Sequence, residues 1–429
     1  MKIIDSKAKG FSGFFRRILE RGEGAAGPVE ESVKEILSGV KTGGDRAVRG
    51  YTKKFDGVDI RGGFRVSESE IKSALKKVSK RDKKLLELAA SRIEAFHRRQ
   101  LRNSWFFTEE DGTLLGTRIT PLERVALYVP GGKASYPSTV LMNAIPARVA
   151  GVKEVFMTTP PGPGGISPTV LAAAAVAGVD RVYRIGGAQA VGAFAYGTAT
   201  VPGVDKITGP GNIYVATAKR LVYGVVDIDM VAGPSEILII NDGTGDASWM
   251  ASDLLGQAEH DELASSVIIT TSRKTALAVK KEVQRQLERI KPLKRRRIAE
   301  SSISDYGAII TVKDLAEATR LSNEIAPEHL ELFVENPFEL LGSIRNAGAV
   351  FLGRNTPEAA GDYMAGPNHT LPTGGTARFS SPLGVDDFIK KTSVMGFSEK
   401  GIKALGPDIE RFARIEGLTA HAASVKKRI

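Results

Sequence analysis

An α/β architecture of two lobes, each built on a parallel sheet, is the expectation for this chain, and three features lead to it. From Glu123 onward, apolar strand-like runs alternate with Ala-rich or amphipathic helical runs, the pattern of repeated βαβ units. The strand-like runs exceed what one doubly wound sheet holds comfortably, so a chain of 429 residues divides its core in two. Glycine-rich turns stand between strand and helix in "VPGGKASYPS", "IGGAQAVGAF" and "TGPGNIYVATAKR", where tight βα connections require them.

The elements follow in order from the N-terminus. The opening "MKIIDSKAKGFSGFFRRILERG" breaks its apolar residues with Lys, Gly and Arg too often for a signal-peptide core. Residues 29–57 and 67–101 have helical periodicity with charged outer faces, so they read as helices packed on one lobe. His97, beside two arginines in the second of them, reads as a solvated surface residue. The strand runs are then "RVALYV", "EVFMTT", "RVYRIG" and "DKIT", followed by "EILIIN", "SVIITT", "GAIITV", "LELFV" and "GAVFLG". Between them "VLAAAAVAGV" is too short to span a bilayer, and a cytoplasmic protein is expected. Lys291 to Arg297, "KPLKRRR", follows a Lys/Glu/Gln-rich helical stretch and reads as its solvated end. After "LPTGGTARFSSPLGVDDF" the tail from Lys400 to Ile429 is helical again.

Composition narrows the chemistry. Sixty Lys and Arg against forty-nine Asp and Glu give a net charge of +11, which favours anionic partners such as nucleotide phosphates or acidic metabolites. The excess is diffuse and lacks aromatic interleaving or a nucleic-acid module, so nucleic-acid binding is not expected. The absence of cysteine excludes disulfides, thiolate zinc sites, iron–sulfur clusters and a thiol nucleophile. Any metal or acid–base chemistry must therefore use nitrogen and oxygen donors, with His97, His260, His329, His369 and His421 as the available imidazoles.

Several stretches gather such donors. "DLLGQAEHDE" puts Gln257 and His260 three residues apart, hence on one face of a helix, and imidazole with oxygen donors suits Zn, Mn or related ions. "AAGDYMAGPNHTLPTGG" adds Asp362 and His369, and "RIEGLTAHAASV" adds Glu416 and His421, but spacing alone does not bring these together. The glycine-rich turns can present backbone N–H groups to a phosphate, yet none completes a GxGxxG, since Tyr214 takes the sixth position in "GPGNIY". "NEIAPEHLEL" places Glu328 and His329 side by side after Pro327. They read either as an acid–base pair or as plain punctuation, Ala326 ending a helix because the residue before Pro favours extended backbone. The residues by themselves support a metal-assisted or nucleotide-dependent α/β enzyme.

These same stretches, together with "YVPGGKASYPSTVLMNAIPARVAGV", "DMVAGPSEILII", "GPNHTLPT" and "SPLGVDDF", resemble the histidinol dehydrogenase family nearly from end to end. Gly256 and Gly384 depart from that pattern where small hydroxyl residues are expected. The resemblance implies an aldehyde dehydrogenase-like fold of two incomplete Rossmann-like lobes with small helical N- and C-terminal segments. It implies an N-terminal arm over 1–21, a discontinuous lobe of 22–107 and 236–378 carrying the metal and the catalytic pair, an NAD-binding lobe over 108–235, and a C-terminal helical segment, 379–429, reaching a dimer partner.

The resemblance also implies residue roles. One Zn²⁺ per subunit is held by Gln257, His260, Asp362 and His421; Ser235, His329 and Glu416 are further contacts to L-histidinol. Tyr128, Gln189 and Asn212 touch NAD, and Glu328 and His329 are the acid–base pair. The family is homodimeric, and Glu416 and His421 complete the neighbour's site. The implied reaction is the two-step oxidation of L-histidinol through the aldehyde to L-histidine. With no cysteine in the chain, the second step proceeds through a hydrated aldehyde instead of a thiol adduct. Beside this reading stand a related zinc, NAD-dependent dehydrogenase of another amino or hydroxy alcohol and a zinc hydrolase, which needs no dinucleotide.

Overall fold

The computed structural model describes residues 1–20, 26–60, 62–131, 135–162 and 164–429. The expected boundary between 21 and 22, and residues 132–134 of the first glycine-rich turn, lie outside the described residues. Strand runs alternate their side chains between two faces, and here both faces are apolar, as a sheet covered by helices on each side requires. In the strands Arg124–Tyr128 and Glu154–Thr158, Ala126, Tyr128 and Phe156 point into one core while Val125, Leu127, Val155 and Met157 point into another.

Two parallel sheets result. The first has strand order Arg181–Tyr183, Glu154–Thr158, Arg124–Tyr128, Lys206–Thr208, Asp227–Ile228. The second has order Lys2–Asp5, Gly307–Thr311, Ser265–Thr270, Glu236–Asn241, His329–Phe333, Ala349–Leu352. In each, the chain adds strands outward in one direction and then crosses back. The strand order therefore reverses between Arg124–Tyr128 and Lys206–Thr208 in one sheet, and between Glu236–Asn241 and His329–Phe333 in the other.

The implied segment boundaries need correction. Residues 2–5 are not a free arm: they form the edge strand beside Gly307–Thr311, and Phe15 of the following helix Phe11–Leu19 enters the second sheet's core. The two long helical segments within 22–107 do not join the lobe of 236–378. Val33, Leu37 and Val40 of the helical segment Ala26–Asp56, which kinks at Gly44 (φ 51°, ψ −137°), are buried against the first sheet's core, and Ala89 and Ile93 of helix Lys80–His97 are buried on its other face. Their apolar stripes go where the Ala-rich helices leave room, and burying one such Val or Leu is worth about 1.5–3 kcal/mol. The region 379–429 is not helical throughout, because Ile389–Gly396 pairs antiparallel with Leu114–Pro121, which pairs with Trp105–Thr108.

Three local readings also change. His97 is fully buried at the end of its helix, with Nδ1 2.8 Å from Gln100 Oε1 in the turn that follows. "KPLKRRR" does not end a helix but opens the next one, Leu293–Tyr306. Ala326 follows helix Leu315–Ile325 in the left-handed region, φ 49° and ψ 61°, rather than extended. Among the described residues it is the one non-glycine with positive φ. No described helix is long and apolar enough to cross a membrane.

Candidate active site

The site is built at the N-terminal ends of two adjacent strands, where the second sheet reverses its order. Helix Leu315–Ile325 stops at Ala326, and Pro327 and Glu328 lead directly into the strand His329–Phe333. Next to it runs Glu236–Asn241, with His329 in register with Ile237. The two acidic residues at these strand starts cross-link them: Glu236 N–H donates to Glu328 Oε2 at 2.8 Å, and Glu328 N–H donates to Glu236 Oε2 at 3.3 Å. The other Glu236 oxygen accepts the Gly374 N–H at 3.0 Å.

His329 is fixed by its backbone neighbour. Its Nδ1 is 2.9 Å from the Glu236 carbonyl oxygen, which accepts only, so Nδ1 carries the proton and Nε2 keeps its lone pair. Nε2 is buried without a hydrogen-bond partner, 3.8 Å from Glu358 Oε1. Burial holds the imidazole pKa below its ordinary value and, opposed by backbone bonding, pushes the Glu328 carboxyl well above its own. A neutral imidazole thus stands beside a carboxyl whose proton affinity is raised, a pairing suited to moving protons near neutral pH.

The candidate metal ligands come from two other elements. Helix Ala247–Ala258, capped by the Asp246 side chain, carries buried Gln257 in its last turn, and His260 follows just beyond. Glu358 and Asp362 lie on the consecutive turns Glu358–Ala360 and Gly361–Ala365. One donor atom from each of His260, Glu358 and Asp362 lies within 4.8 Å of the others. His369 braces this turn, its Nδ1 donating to the Asp362 carbonyl at 3.2 Å.

The donor set fits a divalent cation of the Zn or Mn type. With its nitrogen toward Glu358 Oε1 (3.3 Å) and its oxygen toward Glu236 N–H (3.2 Å), the Gln257 amide satisfies both neighbours without an ion. Turned over, its oxygen faces the Glu358 carboxylate, an arrangement that a cation between the two makes favourable.

The polar cluster opens on a cavity of about 380 Å³. Leu86 and Ile93 from helix Lys80–His97 and Leu141 from helix Pro137–Ala150 form apolar walls, and His260, Asp362 and Arg295 form the polar end. The walls come from elements packed on the first sheet and the polar end from elements of the second, so the cavity lies between the lobes. Gly366, φ +107°, lets the chain pass helix Lys80–His97, since a Cβ there would stand 2.8 Å from the Arg92 carbonyl oxygen.

The other expected residues are distributed as follows. Ser235 is half-buried and adjoins Glu236. Tyr128 ends the strand Arg124–Tyr128, buried, and its hydroxyl oxygen accepts the Gly187 N–H at 3.0 Å. Gln189 is buried, and neither amide atom has a hydrogen-bond partner. Asn212 caps helix Ile213–Val222 by accepting from Tyr214 and Val215 N–H. Tyr128 and Asn212 flank the reversal point of the first sheet at the C-terminal ends of its strands, where open α/β sheets bind ligands. The unpartnered Gln189 amide supplies hydrogen-bonding capacity a dinucleotide can use. Glu416 and His421 are not brought to the His260 cluster within this chain; they line a separate groove with Phe412 and Leu418.

Sequence reasoning missed Glu236, Glu358, Glu331 and Asp253. Glu331 is buried in mid-strand and accepts the Glu358 N–H at 2.9 Å. Burial raises the carboxyl of Glu331 and that of Asp253, the latter to about 6. Glu358 and Asp362 share the i, i+4 spacing that Gln257 and His260 approximate, a usable signal; the strand-start glutamate Glu236 offered none.

Comparison with known proteins gives one family. The sequence profile of the Histidinol dehydrogenase family matches residues 19–429. The histidinol dehydrogenase of Syntrophotalea carbinolica is 56% identical, covering 100% of this chain and 99% of its own length. That of Geobacter sulfurreducens is 57% identical, with 100% of both chains covered. The crystal structure of histidinol dehydrogenase from Elizabethkingia anophelis superposes with a TM-score of 0.93 at 37% identity, covering 100% of this chain and 98% of that one. An acetylating aldehyde dehydrogenase from Geobacillus thermoglucosidasius reaches a TM-score of 0.50 at 13% identity over 90% of this chain and 97% of its own, a likeness of fold alone.

Proposed function

Because the chain belongs to the histidinol dehydrogenase family, we propose that it performs the two NAD-dependent oxidations that take L-histidinol through L-histidinaldehyde to L-histidine, the last steps of histidine biosynthesis. The observation that supports the residue assignments is the meeting of His260 and Asp362, which line one inter-lobe cavity, with Glu358, a carboxylate that also lies 3.3 Å from the Gln257 amide and 3.8 Å from His329 Nε2. In this reading Gln257, His260, Asp362 and a partner subunit's copy of His421 hold one Zn²⁺. Ser235, His329 and Glu416 contact the substrate, and Tyr128, Gln189 and Asn212 line the NAD crevice. The enzyme is a cytoplasmic homodimer.

When bound, the cation gives the substrate's amino and imidazole nitrogens a fixed point of attachment, and NAD⁺ is the acceptor for two hydrides. The chain's own side chains do the rest. His329 Nε2, with its lone pair free, takes the alcohol proton in the first oxidation. Glu328, its proton affinity raised by burial, takes a proton from water as that water adds to the aldehyde carbon, while His329 returns the proton it holds to the aldehyde oxygen, giving the hydrated aldehyde and a free Nε2. His329 then accepts the hydroxyl proton of the hydrated aldehyde as the acid forms. The apolar walls of Leu86, Ile93 and Leu141 limit access of bulk water, and good orientation of the reacting carbon lowers a barrier by up to ~7–11 kcal/mol.

The deciding experiment supplies L-histidinol and NAD⁺ and counts NADH per histidine formed. A ratio of two is expected. A ratio of one, or NADH without histidine, overturns the double oxidation.

A further inference from the structure

Away from the cavity, one buried ion pair has no part in the chemistry above. Lys219, in the helix Ile213–Val222, and Asp229, just past the strand Asp227–Ile228, meet with side chains 2% and 1% exposed. A buried ion pair is weak evidence of a stabilising device, since desolvation offsets much of the attraction and apolar side chains of similar volume often serve as well. Geometry distinguishes this one.

Both charges grip a single glycine. Lys219 Nζ donates to the Gly209 carbonyl at 2.9 Å, and Asp229 Oδ2 accepts the Gly209 N–H at 2.8 Å. Gly209 has φ +104°, and a Cβ there would stand 2.2 Å from the Tyr128 carbonyl oxygen. The pair therefore fixes the two peptides at which the chain leaves the strand Lys206–Thr208, and presses that turn against the end of Arg124–Tyr128. These are the strands between which the first sheet reverses its order. Three residues on, Asn212 opens the helix that carries Lys219 itself, so the clamp closes a loop from strand end to helix and back.

We propose that Lys219 and Asp229 are positioning residues for the dinucleotide: they hold the 209–212 turn and the end of the Tyr128 strand in the shape that receives NAD⁺, without touching it. The proposal rests on the assignment of NAD to this crevice. A rigid receiving turn avoids the ordering cost that a mobile one adds to binding. Its loss therefore falls on cofactor affinity and leaves the grip on the other substrate intact.

The test uses the full-length, metal-loaded enzyme and measures NAD⁺ affinity by titration together with KM for each substrate. Lys219→Met and Asp229→Asn are expected to weaken NAD⁺ binding roughly ten- to a hundredfold, with KM for L-histidinol unchanged. Because each single variant strands a buried charge, the double variant K219M/D229L is made as well; it removes both charges and is expected to fold yet still bind NAD⁺ poorly. A lowered melting temperature with unchanged NAD⁺ affinity in any folded variant overturns the proposal. The wild-type protein offers a reading without substitution: the Gly209 amide is expected to resist hydrogen exchange already before NAD⁺ is added, and rapid exchange there overturns the proposal. Asn212→Ala is the control. If it weakens NAD⁺ binding while the pair variants do not, the positioning role alone fails; if neither does, the assignment of the crevice fails.

Discussion

His329 keeps one ring nitrogen free because its other nitrogen is committed to the Glu236 carbonyl, and Glu328 is held 3.6 Å from that committed nitrogen. The two residues therefore do not neutralise each other as a simple ion pair; each faces its own proton. Glu328→Gln keeps the acceptor for the Glu236 N–H but cannot take a proton from water. Oxidation of supplied L-histidinaldehyde is expected to fall by ~10²-fold or more, with oxidation of L-histidinol to the aldehyde far less affected. Equal losses in both steps, read by single-turnover NADH formation, would contradict the water-activating role. The sequence displayed this pair but misjudged how the chain enters it. Ala326 was expected to be extended before Pro327, whereas its left-handed φ of 49° turns the chain sharply out of the helix. That conformation costs a non-glycine residue about 1–2 kcal/mol. Ala326→Gly is therefore expected to leave stability within about 1 kcal/mol of the parent, relief of strain being offset by a freer unfolded chain. Ala326→Val, branched at Cβ, is expected to lose about 2 kcal/mol in denaturant unfolding; a fully tolerated valine would show that the strain is not real.

At the level of elements, the strands of both parallel sheets were readable because burial on two faces makes each a dense apolar run. The antiparallel sheet was not. Its strand Ile389–Gly396 is largely exposed and Leu114–Pro121 mostly half-buried, and both are polar or mixed in sequence, so neither a period-two pattern nor an apolar run marks them. Helix contents were readable, helix destinations were not: His97 looked solvated between arginines, and only the packing of helix Lys80–His97 buries it. The turns carrying Glu358 and Asp362 are a similar case, since nothing local says that they meet His260. Glu358→Gln keeps the shape of that cluster and removes a charge. Metal affinity, read by competition with a chromophoric chelator, is expected to fall about 10–100-fold, and unchanged affinity would remove Glu358 from the metal's surroundings. Helix Ala26–Asp56 gives a pH-dependent case. Asp56 sits at its C-terminal end, where burial raises its carboxyl from 3.8 to about 6, and one of its oxygens has no hydrogen-bond partner. For an acid whose pKa is higher folded than unfolded, the unfolded state releases its proton first. Stability is then lost as pH rises from about 4 to about 6 and stays lost above. Asp56→Asn is expected to gain about 1 kcal/mol at pH 7.5, the full shift being reduced by solvent screening of a half-exposed group. The gain is expected to shrink toward zero as unfolding is measured at steps down to pH 4; a constant gain would assign it to something other than titration.

Across the whole molecule, the two sheets use opposite ends. The proposed NAD crevice lies at the C-terminal strand ends of the first sheet, as open α/β sheets generally arrange ligands. The Glu328–His329 pair lies at the N-terminal strand ends of the second. Two lobes facing each other across a cleft reconcile these positions, and helix Lys80–His97 forms the first lobe's side of that cleft, packing in its core while lining the cavity near Asp362. The residues themselves left open which lobe carries that helix, because its apolar stripe fits either; the grouping with 236–378 came from the family resemblance, whereas Ala89 and Ile93 lie in the first sheet's core. Two of the proposed site residues lie outside this frame. Glu416 and His421 line a groove away from His260, together with the exposed side chains of Phe412 and Leu418. A groove with exposed apolar walls of this kind fits an interaction face. A second copy that covers it with its own equivalent surface, and lends its tail in exchange, would bring His421 to the neighbour's His260. Symmetry then makes a specific demand. A dimer of one His260→Asn subunit and one His421→Asn subunit contains one site lacking both residues and one site lacking neither. Neither variant alone has an intact site, so each is expected to be inactive by itself. After mixing and subunit exchange, half of the dimers are hybrids with one working site each, and activity is expected to return to roughly a quarter of the parent's. Exchange is followed independently with differently tagged subunits. Sustained inactivity in a mixture shown to contain hybrids would mean that His421 serves its own chain or none, and that the exposed face has some other use.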